Sequence, residues 1–194
     1  MGAVNFGAPR DFSKAIADCF GLQTFVETGT NEGETAAWAA TQFQSVQTVE
    51  ASPVIYERAK RRLSPYANVN CHFGASPQFI ANLIPTLPRS LFWLDAHWCS
   101  GETAGKSAEC PLIPELVAIA PYLHMHAIMI DDARYFTRPA PIEHQYLHWP
   151  SLDDIYRVVQ STNQTFSVIH EDIILIVPAT YRVHVTELMR RFGW

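Results

Sequence analysis

The sequence predicts an α/β domain built on a seven-stranded, mostly parallel sheet, with an antiparallel C-terminal hairpin and helices on both faces. Three observations predict it. Apolar, β-branched runs alternate with helical patterns up to Asp131, and right-handed crossovers turn such an alternation into a parallel sheet covered on both sides. Two later runs, Thr165–His170 and Ile173–Val177, are separated only by Glu171–Asp172, a link so short that they pair as a hairpin. The 194 residues, 48% hydrophobic and 17% charged, are enough for one core and short for two, so residues 1–194 read as one globular domain.

In chain order, an amphipathic helix over Asp11–Cys19 leads into a first strand at Thr24–Glu27. A glycine-bearing turn and a helix over Glu34–Phe43 follow. Strands at Val46–Glu50, Val69–Phe73, Leu91–Asp95 and Ala127–Asp131 alternate with helices over Pro53–Leu63, Pro77–Ile84 and Pro111–Ala120. Each of these helices starts on a proline, where the missing N–H costs nothing. The segment from Cys99 to Cys110, with Gly101, Gly105 and small polar residues, reads as a mobile loop. Tyr135–Pro150 is too long and proline-interrupted for an ordinary connection. Its aromatics, His144 and His148 make it either a lid over a ligand or a surface loop packed on itself. A helix at Leu152–Gln160 precedes the hairpin.

The net charge of −5 supplies no positive field for nucleic acid. The one basic cluster, Glu57–Leu63, has helical spacing and reads as a solvated face. No apolar stretch approaches a membrane span, and the N-terminus lacks a secretory pattern, with Phe6 where a myristoylation signal needs Ser or Thr. A cytoplasmic location is expected. Four scattered cysteines, Cys19, Cys71, Cys99 and Cys110, form neither a disulfide framework nor a CxxC metal pair, and reduced thiols are expected. The expected partner is a small molecule, with no nucleic acid and no membrane. The oligomeric state stays open, a homodimer being one outcome.

"FVETGTNEGET" gives a strand, a turn and a helix start. Gly29 and Gly33 flank Thr30 and Asn31 with GxxxG spacing, unlike the dinucleotide fingerprint, and Glu27 ahead of them would repel a pyrophosphate and accept from an ammonium. That preference suits an amino-acid-bearing nucleoside. Glu50, followed by Ala51, stands about 20 residues beyond Gly29, where an acid can take the hydroxyls of a ribose. Gly74, Ala75 and Ser76 end the third strand in the place of an adenine, although Ser76 reads equally as a helix N-cap. Asp95 ends the fourth strand and Asp131 with Asp132 the fifth, at the sheet edge where ligands bind. Three carboxylates that close call for a cation, and their oxygens with waters suit Mg²⁺. Alternatively, Asp131 and Asp132 cap a loop or pair with Arg134. His97, two residues past Asp95, is a general base, a fourth ligand or a satisfied rim histidine.

The ordered set "VETGTNEG", "VEAS", "FGAS", "FWLDAHW" and "IMIDDARYF" resembles the class I S-adenosylmethionine-dependent methyltransferases, whose Rossmann-like sheet carries the same hairpin. The resemblance spans Thr24 to Val177. It implies that Glu27 and the Gly29, Thr30, Asn31, Gly33 turn contact the methionine part, that Glu50 with Ala51 contacts the ribose, and that Gly74, Ala75 and Ser76 contact the adenine. Two departures stand out: Asn31 replaces the usual middle glycine, and Ala75 stands where an acid often lies beside the adenine. Asp95, Asp131 and Asp132 match the ligand positions of metal-dependent O-methyltransferases acting on catechols and sugar hydroxyls. That similarity implies an Mg²⁺-assisted O-methyltransferase, with His97 and Asp95 the candidate catalytic residues and Asp95 also facing the cofactor. The phrase "FWLDAHW" with a later "CPL" resembles a subgroup of methyltransferase-like proteins. Two rivals are a metal-independent methyltransferase using His97 or Asp95 as base, and a non-catalytic module that binds the cofactor.

Overall fold

The structure is a computed structural model that describes residues 7–98, 101–139, 143–161 and 164–193. Its elements are α1 (Arg10–Phe20), β1 (Thr24–Thr28), α2 (Glu34–Ala40), β2 (Ser45–Glu50), α3 (Pro53–Leu63), β3 (Val69–Phe73), α4 (Ser76–Leu83) and β4 (Ser90–Leu94). They continue with α5 (Leu112–Ile119), β5 (Ala127–Ile130), α6 (Arg134–Thr137), α7 (Leu152–Val159), β6 (Thr165–His170), β7 (Ile173–Pro178) and α8 (Arg182–Arg191). The seven strands lie in the order β3-β2-β1-β4-β5-β7-β6. β1 to β5 run parallel, while β7 pairs antiparallel with both β5 and β6.

Alternation along the strands divides the core into two layers, as a pleat with a period of two requires. Phe25, Leu91, Trp93 and Met129 point to the side covered by α1, α2 and α8, where Phe12, Ile16 and Val185 meet them. Val26, Phe92, Leu94 and Ile128 point to the other side, against Ile80 of α4, Leu116 of α5 and Ile155 of α7. Every residue of β4 is buried, so the strand that carries Asp95 at its end is the rigid centre of the molecule.

Local chemistry sets the helix starts. The Ser52 hydroxyl accepts the Ile55 N–H ahead of Pro53, and Ser151 and Asp154 form a reciprocal capping box on α7. α4 begins one residue before Pro77, with Ala75 as its N-cap, so Ser76 is the first helical residue and not the cap. The hairpin link places Glu171 and Asp172 at φ 45° and 74°, the left-handed pair that matches the twist of a two-residue turn. Two helices lie outside the sequence expectation: α8, and the short α6 inside the stretch read as a lid. Among the described residues, no helix is long and apolar enough to cross a membrane.

Candidate functional site

A cavity of about 460 Å³ opens at the carboxyl ends of β1 to β4. Gly29 turns the chain there at φ +83°, and a Cβ on it would stand 2.5 Å from the carbonyl oxygen of Asp95. Glycine is therefore required by the close approach of this turn to the end of β4. Asn31 is left-handed at φ 47°, a conformation that asparagine tolerates. Its N–H donates to Glu50 at 3.0 Å, and the Ser52 N–H donates to the other Glu50 oxygen at 2.8 Å. Glu50 thus locks the turn to the end of β2 while forming part of the cavity wall.

Of the other expected cofactor residues, Gly29, Asn31, Ala51, Gly74, Ala75, Ser76 and Asp95 line the same cavity. Gly33 does not line it. At φ +78°, a Cβ there would meet Leu63 of α3 at 3.2 Å, so this glycine serves packing between elements. Glu27 and Thr30 lie beneath the turn. The Thr48 hydroxyl donates to Glu27 at 2.6 Å and stands 2.6 Å from the Thr30 hydroxyl. Burial pushes the Glu27 carboxyl up to about 8, with Asp95 and Glu50 adding repulsion. A second buried acid is one that the sequence does not mark. Glu115 of α5 is buried at 1% exposure and pushed up to about 7 by that burial, with the Ser76 and Thr28 hydroxyls opposing the rise.

At the other end, the expected carboxylates do converge, with His97 between two of them. Its Nδ1 is 3.4 Å from Asp95 Oδ1, and its Nε2 is 3.0 Å from Asp132 Oδ2. Arg134 holds the remaining Asp132 oxygen at 2.7 Å and also pairs with Asp172 at the hairpin tip. Asp132 is left-handed at φ 58°, and its N–H donates to Asp131 at 2.8 Å. Burial raises Asp95 to about 6, with His97 opposing and Asp132 adding repulsion, and raises Asp131 to about 8, with Asp95 and Asp132 adding repulsion. Asp132 goes the other way: burial opposes its charge, but His97 and Arg134 hold it below the usual carboxylate range. Both Asp132 oxygens already contact His97 and Arg134, whereas the Asp95 and Asp131 carboxyls, raised by burial, would be drawn back toward their ionised form by a hard cation. Among the described residues, no group of three His, Cys, Asp or Glu side chains is arranged to hold a metal ion. The expected three-carboxylate chelate is not assembled here, because His97 and Arg134 occupy the third member.

The segment 103–111 roofs the cavity. Arg58 of α3 pairs with Glu32 of the turn at 3.2 Å and with Glu102 at 2.9 Å, a clasp across the mouth. Cys110 lines the wall with its thiol pushed up to about 12 by burial, which leaves it protonated and unreactive. Cys99, and any pairing with Cys110, lies outside the described residues, as do residues 140–142 of the stretch read as a lid. The rest of that stretch packs on its own rings: Trp149 lies 4.9 Å from Tyr135 and 5.2 Å from His144 between ring centres. Trp149 also stands 5.4 Å from His97, so the cluster forms a wall beside the acidic end.

No family model and no curated protein matches this sequence. Solved structures do. A candidate caffeoyl-CoA O-methyltransferase from Staphylococcus aureus is 16% identical, with 90% of this chain and 84% of that one covered at a TM-score of 0.60. The O-methyltransferase TomG from Streptomyces achromogenes, in complex with S-adenosylmethionine, is 15% identical over 90% and 82%, at 0.54. An O-methyltransferase from Bacillus cereus, in complex with S-adenosylhomocysteine, is 14% identical over 90% and 83%, at 0.54. The fold is that of the class I S-adenosylmethionine-dependent methyltransferases, as the strand order and terminal hairpin already indicate.

Proposed function

We propose that the protein transfers a methyl group from S-adenosylmethionine to a hydroxyl oxygen of a small molecule, a sugar or other natural-product scaffold. One observation carries the reading: a single cavity joins the Gly29–Asn31 turn, Glu50 and Gly74–Ser76 at one end to Asp95 and His97 at the other. When bound, the cofactor supplies a methyl group on a sulfonium, and in-line displacement then asks the protein mainly for positioning and exclusion of water. Glu50 and the Ser76 corner fit the polar parts of a nucleoside. Glu27, beneath the turn and raised by burial, gains a favourable partner when an ammonium approaches. In this reading His97 is the general base: one ring nitrogen would leave its carboxylate, Asp95 or Asp132, to take the acceptor proton, and the carboxylates would then stabilise the charged ring.

Two versions of the acceptor end follow. In the first, Asp95 and Asp131 would hold a divalent ion such as Mg²⁺, whose charge would favour the ionised form of an acceptor hydroxyl. The second dispenses with metal, and it is favoured by the contacts of His97 and Arg134 with both oxygens of Asp132. The partner in either version is a small acceptor in the cytoplasm, with neither nucleic acid nor membrane involved.

Calorimetric titration with S-adenosylhomocysteine, with and without Mg²⁺, tests the reading, followed by transfer of a labelled methyl group to a panel of vicinal diols. Saturable binding is the expected result, and no binding under any condition overturns the proposal. Transfer that survives a chelator selects the metal-free version. Binding without transfer to any acceptor converts the protein into a cofactor-binding module.

A further inference from the structure

Glu109 is buried, at 2% exposure, near the end of the roof segment, where a carboxylate is costly unless hydrogen-bonded. Its donors come from one later segment: Trp149 Nε1–H at 2.9 Å, His144 Nδ1 at 3.1 Å and the Gln145 N–H at 3.2 Å to both oxygens. The Glu109 carbonyl in turn accepts the Trp98 N–H at 2.8 Å. Burial opposes the charge, but these donors hold the carboxyl below its ordinary range, so it faces them as an anion. Among the described residues, the backbone hydrogen bonds of the later segment, His148 to Gln145 and Trp149 to Tyr146, are internal, and its other attachments include the ring contacts of Trp149 with Tyr135, Phe136 and His97 and of His144 with Trp98 and Tyr135. Glu109 also lines the cavity, and Trp149 stands against His97.

The geometry points to Glu109 as a positioning residue that couples closure of the roof over the cofactor to the seating of the Trp149 wall beside His97. This rests on the proposed reading that the cavity takes S-adenosylmethionine. Lifting the roof withdraws the carboxylate from all its donors in 143–149 together, so the wall loses its polar anchor when the cofactor end opens. A closed roof restores that anchor, and acceptor binding is thereby ordered after cofactor binding.

Hydrogen exchange followed by mass spectrometry tests the coupling without an acceptor, using S-adenosylhomocysteine as the probe. At a ligand concentration ~100-fold above Kd, openings that abolish binding are slowed by up to about 100-fold. Wild-type protein is expected to show such slowing in both 103–111 and 143–149. In Glu109→Ala, 103–111 should keep it, while 143–149 falls below about threefold. A merely structural Glu109 would lower the melting temperature and leave the two segments responding together. Trp149→Phe keeps a ring but removes the N–H, and it is expected to give an intermediate loss. It also carries the test where Glu109→Ala does not fold. Wild-type slowing confined to 103–111, or undiminished slowing of 143–149 in the variant that folds, overturns the coupling. Wild-type protein that binds no S-adenosylhomocysteine overturns the methyl-donor reading, and the coupling with it.

Discussion

A Cβ on Gly29 would meet the Asp95 carbonyl at 2.5 Å, and the backbone there is left-handed as well. Gly29→Ala is therefore expected to destabilise the protein by about 2–4 kcal/mol, from a backbone clash combined with a strained φ. Urea unfolding checks this, and unchanged stability would mean that the turn does not abut β4. Residues of this kind are legible because glycine, acid and strand end coincide in the sequence: Gly29, Glu50, Ser76 and Asp95 all line the cavity. Gly33 and Glu27 stand out in the same way, but their side of the turn faces Leu63 and Thr48, which only the packing of α3 and β2 reveals. Glu109 and Glu115 do not stand out. An acid in a loop, or in the first turn of a helix, has no periodicity to mark it, and its burial depends on donors supplied from distant elements. At Asp132 the pairing with Arg134 follows one of the readings the sequence offers, whereas the left-handed backbone and the contact with His97 are visible only in the structure.

At the scale of elements, the β6–β7 hairpin reaches into the site. The Asp172 carbonyl accepts the Ala133 N–H, its carboxylate accepts the Arg134 N–H, both at 2.8 Å, and Arg134 then holds Asp132. A two-residue link that reads only as a connection thus braces the loop after β5. Asp172→Ala removes the carboxylate and keeps φ at 74°, so a loss of about 2–3 kcal/mol is expected. Asp172→Asn keeps an acceptor and tolerates the backbone, and should lose less than about 1 kcal/mol. Chemical denaturation of the pair decides the matter: equal losses would show that the charge Asp172 presents to Arg134, and not the bond to the backbone, is what the tip provides. The strands are readable because their apolar runs are bounded by turn residues. α8 is not, since only Val185 of it is fully buried and its remaining apolar residues are too few for a clear stripe. α6 is a four-residue helix, shorter than any periodic signal.

Over the whole molecule, buried acids set how stability depends on pH. Four are raised in the folded state, Glu27 and Asp131 to about 8, Glu115 to about 7 and Asp95 to about 6, each chiefly by burial. In the unfolded chain these groups lose their protons near their ordinary values, so above that range the unfolded state binds fewer protons than the native one. Their contribution to stability is complete below the unfolded values and is lost as pH rises through the folded ones. Asp132 and Glu109 are lowered, and their contribution, present above the unfolded values, is lost as pH falls below the ordinary carboxylate range. The two sets together place the stability maximum on the acid side, near the ordinary carboxylate values at about pH 4, with a decline toward pH 8. Glu27→Gln isolates one of them: the amide oxygen still accepts from Thr48, while the ionisation disappears. The variant is expected to match wild type near pH 4 and to exceed it at pH 8, with a shallower decline between, in denaturant titrations across that range. A wild-type protein that gains stability from pH 5 to pH 8 would mean that these carboxyls are not held in the dry interior the fold gives them. The same measurement with S-adenosylhomocysteine present links the fold to the site. An ammonium brought near Glu27 favours its ionised form, so the ligand should stabilise wild type by a larger increment at pH 8 than at pH 5, and Glu27→Gln should lose that difference.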